Sequence, residues 1–140
     1  MAALTDDKEV LMQEGKLQAM PVVASDIIYR GAICKVNAAG FLAPAAAEAG
    51  AVMAGIAYEQ CDNSAGAAGD VDCRVVRNGV HLLEGSGFSQ ADVGAKVYAS
   101  DDQTVSTTQG ANEQEVGTIV RFESATQVWV DIEYAVSVGQ

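Results

Sequence analysis

Basic residues are scarce in this chain. It carries 8 lysines and arginines against 19 aspartates and glutamates, a formal net charge of −11 over 140 residues. A nucleic-acid-binding protein needs clustered lysine and arginine to neutralise phosphates. We therefore expect no nucleic-acid partner. The acidity keeps a protein in solution and suits one that works beside nucleic acid without binding it.

Histidine occurs once and cysteine three times. The single histidine, His81, lies in a predicted strand without a catalytic or metal-binding motif around it, so we interpret it as structural or surface-exposed. Cys34, Cys61 and Cys73 form no CxxC motif and no paired framework. None has the basic neighbour that a catalytic thiol needs. We expect all three to be reduced, as in a protein made in the cytoplasm.

Long apolar runs are absent. No stretch approaches the ~18 apolar residues that span a bilayer, and the first ten residues, MAALTDDKEV, lack the basic and apolar regions of a secretory signal. We expect no membrane partner.

Motifs for catalysis and cofactor binding are also lacking. The carboxylate pairs Asp70/Asp72 and Asp101/Asp102 could in principle hold Ca²⁺ or act as acid and base. Neither has EF-hand spacing, and aspartates in turns usually bond their own backbone. The glycines match no phosphate-binding loop. The sequence therefore predicts a protein that is not an enzyme and has no metal or cofactor.

Short strands joined by polar turns are abundant, most clearly from Ala91 to Tyr134. Val116 to Glu123 is predicted as a strand with one apolar face formed by Val116, Thr118, Val120 and Phe122. The last strand, Val128 to Tyr134, alternates, with Val128, Val130 and Ile132 facing the core and Trp129 and Asp131 facing outward. Exposed tryptophan favours an interface. We predict an oligomer or shell interface at Trp129, Asp131 and Ile119.

Two segments of the chain share one layout. Each begins at a glycine, Gly31 or Gly94, and continues as strand, turn, strand, loop, strand, turn and strand. A second glycine follows 24 residues later at Gly55 in one segment and 23 residues later at Gly117 in the other. This repetition predicts one supersecondary unit used twice.

The chain divides into a polar arm (1–20), a single β domain (21–136) and a short tail (137–140), with Pro21 at the first boundary. We predict a mostly β fold, a small barrel-like or tulip-like domain with short helical turns. Much of its apolar content is alanine, so the core is thin and oligomerisation would help stability. The arm is polar and too short to form a stable helix alone, which suits a segment that orders on a partner.

Over nearly its whole length the chain resembles the cement, or head-decoration, proteins of tailed bacteriophages. The matching segments are Glu14-Gly15-Lys16, Met20 to Ala24, Ile28 to Ala32, Asn37 to Gly40, Gly55 to Ala57, Asp62 to Ser64, Val75 to Val80, Ala91 to Tyr98, Asp101 to Val105, Val116 to Ile119 and Val128 to Val130. The acidic arm and the three cysteines depart from the family pattern.

The resemblance implies a homotrimer on the outer surface of an icosahedral virion, where it binds the major capsid protein and stabilises the expanded shell against internal DNA pressure. In similar proteins the N-terminal arm lies along the capsid protein. The apolar arm residues that would make this contact are Leu4, Val10, Leu11, Met12, Leu17 and Met20. The alternative is a carbohydrate- or cell-surface-binding β module on a virion, for which Trp129 and the tyrosines at positions 29, 58, 98 and 134 are the available aromatic residues.

Overall fold

The computed structural model describes residues 3, 5–8 and 15–138 of the chain. This part contains two short helices: a 3-10 helix over Gln90–Asp92, between two strands, and α1 over Glu133–Val138, after the last strand. The strands in chain order are β1 (Leu17–Pro21), β2 (Asp26–Ile28), β3 (Ile33–Val36), β4 (Leu42–Pro44), β5 (Val52–Ala57), β6 (Cys61–Asn63), β7 (Asp72–Val76), β8 (Val80–Glu84), β9 (Lys96–Ala99), β10 (Val105–Ser106), β11 (Glu115–Ser124) and β12 (Gln127–Asp131).

The predicted small, mostly β domain is confirmed: within the described part of the chain, strands make up about 45% and helices about 5%. The first sheet has the strand order β1-β7-β5-β3-β4, and the second has the order β10-β9-β11-β12-β8. Strands β2 and β6 form a separate two-stranded sheet. All strand pairs in these sheets are antiparallel.

The two large sheets have the same topology, which the repeated sequence layout predicted. Reading the second order from β8 matches β1 with β8, β7 with β12, β5 with β11, β3 with β9 and β4 with β10. The first four matching strands in chain order start 63 positions apart, from Leu17 and Val80 onward. In neither sheet do the described residues close a continuous barrel. A single parallel bridge joins the two edges instead, Val22 to Leu42 in one and Glu84 to Thr104 in the other.

Matching bulges and glycines extend the equivalence to the backbone. The β3–β5 register shifts beside Gly55, and the β9–β11 register shifts beside Gly117. A Cβ atom at Gly55 would overlap the carbonyl oxygen of Val76, and one at Gly117 would overlap that of Asp131. Val76 and Asp131 end the matching strands β7 and β12. Glycine at both positions therefore lets a bulged strand approach its neighbour's backbone closely.

Two apolar clusters form the core. The first draws on both sheets: residues of β8, β9, β11 and β12 pack with Ile33, Met53 and Ile56 of the first sheet and with Val136 of α1. The second cluster lies wholly within residues 22–75 and is built from small side chains such as Ala54, Cys34 and Cys73, with Val22 and Leu42. The two sheets thus share one core, and the first sheet has another of its own.

The predicted boundaries of the arm and the tail are wrong. All five residues of β1 pair with β7, from Leu17 opposite Val76 to Pro21 opposite Asp72. The ordered sheet therefore includes Leu17 to Met20, which had been assigned to the arm because their sparse apolar residues did not indicate a strand. At the other end, α1 runs to Val138 and so includes two residues of the predicted tail.

The predicted apolar face of β11 is correct at Val116 and Phe122, which pack in or against the core, but wrong at Val120. Val120 is 45% exposed, whereas Gly117 and Ile119 are buried. Register shifts occur between Glu115 and Gly117 and again between Ile119 and Arg121. Each extra residue reverses the alternation of faces, so a strict two-residue period fails along this strand.

The glycine- and alanine-rich segment from Gln60 to Gly69 contains β6 and is held to the rest of the domain. Asn63 is 2% exposed, and its Nδ2 donates hydrogen bonds to the carbonyl oxygens of Val23 at 2.9 Å and Ala67 at 3.0 Å. A disulfide joins Cys61 to Cys73 of β7. The prediction of three unpaired cysteines is therefore wrong.

Candidate interaction surfaces

One face of the second sheet points away from the core and carries exposed apolar side chains. Trp129 on β12 pairs with Leu82 on β8 and with Arg121 on β11. Because a bulge sets two residues opposite one, Val120 and Arg121 together oppose Trp129. Asp131 pairs with Val80 one step further along. We call Val80, Leu82, Val120, Arg121, Trp129 and Asp131 the outer face.

The outer face exposes more apolar surface than we expect on a chain this acidic. Val80 is 48% exposed, Val120 45% and Leu82 38%. Trp129 is partly exposed, and its Nε1 is buried without a hydrogen-bond partner among the described residues. Buried indole N–H groups usually have an acceptor. The predicted outward direction of Trp129 and Asp131 agrees with this placement.

Ile119 does not lie on the outer face. It is 1% exposed and belongs to the core cluster that both sheets share. Ile119 pairs with Val130 on β12, which is also buried. The bulge after Ile119 places it inward while Arg121 points outward. Ile119 is therefore a core residue, and placing its side chain at a surface interface was wrong.

The first sheet holds a different set of residues at the matching positions. The pair Ile56–Val76 of the first sheet matches the pair Thr118–Asp131 of the second. On this alignment Tyr58, Glu59 and Arg74 correspond to Val120, Arg121 and Trp129. Arg74 donates from Nε and Nη2 to the two carboxylate oxygens of Glu59 at 3.0 and 2.9 Å, and its guanidinium lies 5.0 Å from the Tyr58 ring centre. These hydrogen bonds from Arg74 hold the pKa of Glu59 below its usual value. The first sheet thus satisfies its charges internally here, whereas Arg121 forms no ion pair within the described residues.

The predicted arm residues divide into two groups. Leu17 and Met20 lie in β1, where Leu17 is 37% exposed and Met20 packs against the second apolar cluster. Arg77 anchors the start of this strand, because its backbone N–H donates to Lys16 O at 2.8 Å and its Nη1 to Gly15 O at 3.3 Å. The other predicted residues lie outside the described residues: Leu4, Val10, Leu11 and Met12.

The residues considered for catalysis occupy structural positions. Nε2 of His81 lies 2.9 Å from the carbonyl oxygen of Asn78, in the turn before β8. Asp70 accepts a hydrogen bond from Ala67 N at 2.9 Å and lies before β7, so it does not share the strand with Asp72. Asp101 accepts hydrogen bonds from Gln103 N and Thr104 N at 2.9 and 2.8 Å. These are the bonds of turn-forming side chains.

The cysteines divide into a bonded pair and one buried thiol. Glu59, Cys61 and Cys73 place ligand-type atoms within 4.8 Å of one another. Because the two sulfurs are bonded together and the carboxylate is paired with Arg74, this group has no free donor set for a metal ion. Burial, with a smaller contribution from Asp102, raises the pKa of Cys34 to about 12, so its thiol stays protonated and unreactive.

Sequence reasoning missed one buried charge. Lys35 on β3 is 8% exposed and forms a 2.7 Å ion pair with Glu48, and its Nζ also donates to Ala46 O at 3.2 Å. Hydrogen bonds from Lys35 and from Ala38 N lower the pKa of Glu48. No signal in the sequence identified this pair, because Glu48 lies in a small-residue loop 13 positions away.

No known protein family, curated protein or solved structure matches this chain. Within the described residues, no helix has the length and apolar character to span a membrane.

Proposed function

We propose that this chain is a structural head-decoration protein of a tailed bacteriophage. In this role it binds the major capsid protein on the outside of the expanded icosahedral shell as a homotrimer, and it stabilises that shell against the pressure of packaged DNA. It performs no catalysis and needs no cofactor. Its place is the outer surface of the virion, after synthesis in the host cytoplasm.

The observation that carries the proposal is the outer face. Val80, Leu82, Val120 and Trp129 leave a band of apolar surface on a chain with net charge −11. Copies of so acidic a chain repel one another unless they meet through a patch that is low in net charge, and partly exposed tryptophan is enriched at the centres of interfaces. This face therefore suits contact with a second copy or with the shell.

The start of the described domain adds support. β1 is an edge strand of the first sheet and follows directly from the N-terminal segment. The 16 residues before β1 would reach roughly 50 Å if extended. A trimer would present three such segments at once, so weak individual contacts would add to strong joint binding.

The arm is tested by deleting residues 1–14 and measuring binding to purified expanded heads by co-sedimentation. The deletion ends before Gly15 and Lys16, whose carbonyl groups bind Arg77, and leaves β1 intact. We expect the truncated protein to keep its unfolding midpoint and to lose at least tenfold in affinity for heads. Undiminished binding would exclude the arm mechanism.

The outer face is tested with Trp129→Ala. We expect a lower average mass in sedimentation equilibrium, because fewer chains form trimers, or weaker binding to heads, with the fold retained. Tyr58→Ala, on the matching part of the first sheet, is the control and should change neither. If the full-length protein does not bind heads but does bind immobilised glycans, the carbohydrate-binding alternative replaces the proposal.

A further inference from the structure

Three adjacent cavities form one groove where the two sheets meet. A cavity of about 360 Å³ is lined by Tyr29, Gly31, Asp102 and Gln103, among others. It shares Tyr29 and Asp102 with a larger cavity of about 570 Å³ that extends to Lys35 and Glu48. On its other side it shares Gly31 and Gln103 with a cavity of about 180 Å³ that reaches Leu82 and Glu84. We call this row of cavities the seam groove.

One end of the seam groove is the open edge of β8. This strand pairs with β12 on one side only, and on its other side the described residues supply a single bridge, from Glu84 to Thr104. Val80 to Leu83 therefore have an edge without a strand partner among these residues. An unpaired strand edge offers backbone donors and acceptors to any extended chain that lies beside it.

The middle of the groove has room for a backbone. Gly31 has a φ of +86°, and a Cβ atom there would have no heavy atom within 4 Å. Tyr29 beside it is 57% exposed, and Leu82 at the end is 38% exposed. The groove thus combines an open floor, an exposed aromatic ring and an exposed aliphatic side chain, which suits the alternating side chains of an extended peptide.

The charge of the groove selects the kind of peptide. Its lining contains five carboxylates, from Asp26, Glu48, Glu84, Asp101 and Asp102, against two bases, Arg30 and Lys35. Lys35 is already paired with Glu48. The side chains of Asp102 and Glu84 form no hydrogen bond or ion pair within the described residues, and they flank the Gly31–Gln103 section. A bound peptide that carries lysine or arginine would form ion pairs with these two carboxylates.

We propose that the seam groove binds an extended basic peptide of another protein, with apolar side chains between its lysines or arginines. The peptide adds to the open edge of β8, places an apolar side chain against Leu82 or Tyr29, and pairs its cations with Glu84 and Asp102. This inference goes beyond the proposed function: it shares Leu82 with the outer face, but it depends neither on Trp129 nor on the residues before Leu17.

The test uses a blocked ten-residue peptide of alternating lysine and valine, titrated into the ¹⁵N-labelled full chain at low salt. We expect a dissociation constant on the order of 10–100 μM, and amide shifts concentrated at Gly31, Leu82 and Gln103. The same peptide with glutamate in place of lysine should not bind. A peptide of alternating lysine and proline keeps the charge but loses half of the N–H groups, and should bind at least fivefold more weakly.

Matched variants separate the groove from general attraction to an acidic protein. Asp102→Asn with Glu84→Gln should weaken binding at least fivefold, whereas Asp72→Asn with Glu123→Gln removes the same charge outside the groove and should weaken it less than twofold. Tyr29→Ala should weaken binding. Tyr58→Ala should not, because Tyr58 is also exposed, at 49% against 57% for Tyr29, but lies outside the groove.

Several results would overturn the proposal. They are no binding at 1 mM peptide, equal weakening by both double variants, equal binding of the glutamate peptide, or amide shifts that map to another surface. Retained affinity for the lysine–proline peptide would exclude strand addition to β8. Because head binding is measured separately, these results leave the decoration role standing or falling on its own experiments.

Discussion

The two halves of the domain, residues 17–76 and 80–131, have the same scaffold and different surfaces. They share strand order, antiparallel pairing, a bulge beside a glycine and a single parallel bridge between sheet edges. They differ where side chains meet solvent or the other half. Ile33 of the first half is fully buried in the shared core, whereas its counterpart Lys96 is exposed and pairs with Glu115 at 3.4 Å.

This difference indicates how a repeated unit becomes a single domain. A repeat whose contact face stayed apolar on both copies would go on adding units. Here the first half presents Ile33 to the second, and the second presents a charged pair at the matching position. The two copies therefore differ in polarity at this position. The apolar outer face belongs only to the second half, and the disulfide and small sheet only to the first.

The largest expected effect comes from the glycines that the halves share. Gly55→Ala and Gly117→Ala should each lower the free energy of unfolding by roughly 3 kcal/mol, because the added methyl overlaps a backbone carbonyl that cannot move independently. Urea unfolding followed by circular dichroism measures this loss.

The matched controls are Gly31→Ala and Gly94→Ala, where φ is +86° and +95° and space is open. They should cost about 1 kcal/mol each, from backbone strain alone. A Gly117 variant as stable as its Gly94 control would mean that the halves are not built alike.

The second effect breaks the equivalence. The disulfide closes a loop between residues 12 positions apart in the first half only. Replacing both partners, Cys61→Ala with Cys73→Ala, should lower stability by about 2–3 kcal/mol through the loop entropy of the unfolded chain. Hydrogen exchange should rise in β6 and β7 and stay unchanged in β11 and β12. Dithiothreitol should lower the stability of the wild type toward that of the variant and leave the stability of the variant unchanged. An equal rise in both halves would contradict a local role.

Sequence periodicity predicted the repeat and the direction of Trp129 because both depend on local pattern. Turn glycines at matching intervals predicted the two units, and the alternation Val128, Trp129, Val130 placed the tryptophan outward. These features require only that strands alternate faces and that turns need particular residues. The turn predicted at Asp101 and Asp102 is confirmed as well.

What the sequence did not predict depends on pairing between distant segments. Each bulge in β11 inserts one extra residue, which can be recognised only from the pairing with the neighbouring strands. Ile119 therefore faces the core and Val120 faces solvent, the reverse of the prediction. β1 looked like arm because its partner β7 lies more than 50 residues later. The disulfide requires β6 to lie beside β7, and the seam groove exists only once the halves meet. None of these has a local signature in the chain.

A smaller effect tests the differing surfaces at one matched position. Trp129→Ala should lower the free energy of unfolding by about 2 kcal/mol, because it removes a large, partly buried aromatic side chain. Arg74→Ala should lower it by much less, since exposed ion pairs contribute little. Thermal unfolding at one protein concentration compares the two. Equal losses would mean that Trp129 is packed no more deeply than the exposed Arg74.

The smallest effect is the pH dependence of the first half. Hydrogen bonds from Arg74 lower the pKa of Glu59, so this carboxylate binds its proton less readily in the folded than in the unfolded chain. Its contribution is therefore complete above the ordinary glutamate pKa, and it is lost as pH falls through the lowered folded value. Wild-type stability should decline as pH drops below about 4.

The variant Arg74→Ala removes the cause of that shift. It should begin less stable than the wild type at pH 7 and lose less stability on acidification, so the two curves converge at low pH. Trp129→Ala removes no ionisable group at the matching position of the second half, so its curve should run parallel to the wild type. Urea midpoints measured from pH 7 to pH 2 give all three curves. Parallel curves for Arg74→Ala and the wild type would show that the Glu59–Arg74 pair adds nothing to acid stability, and the halves would then differ in shape but not in pH response.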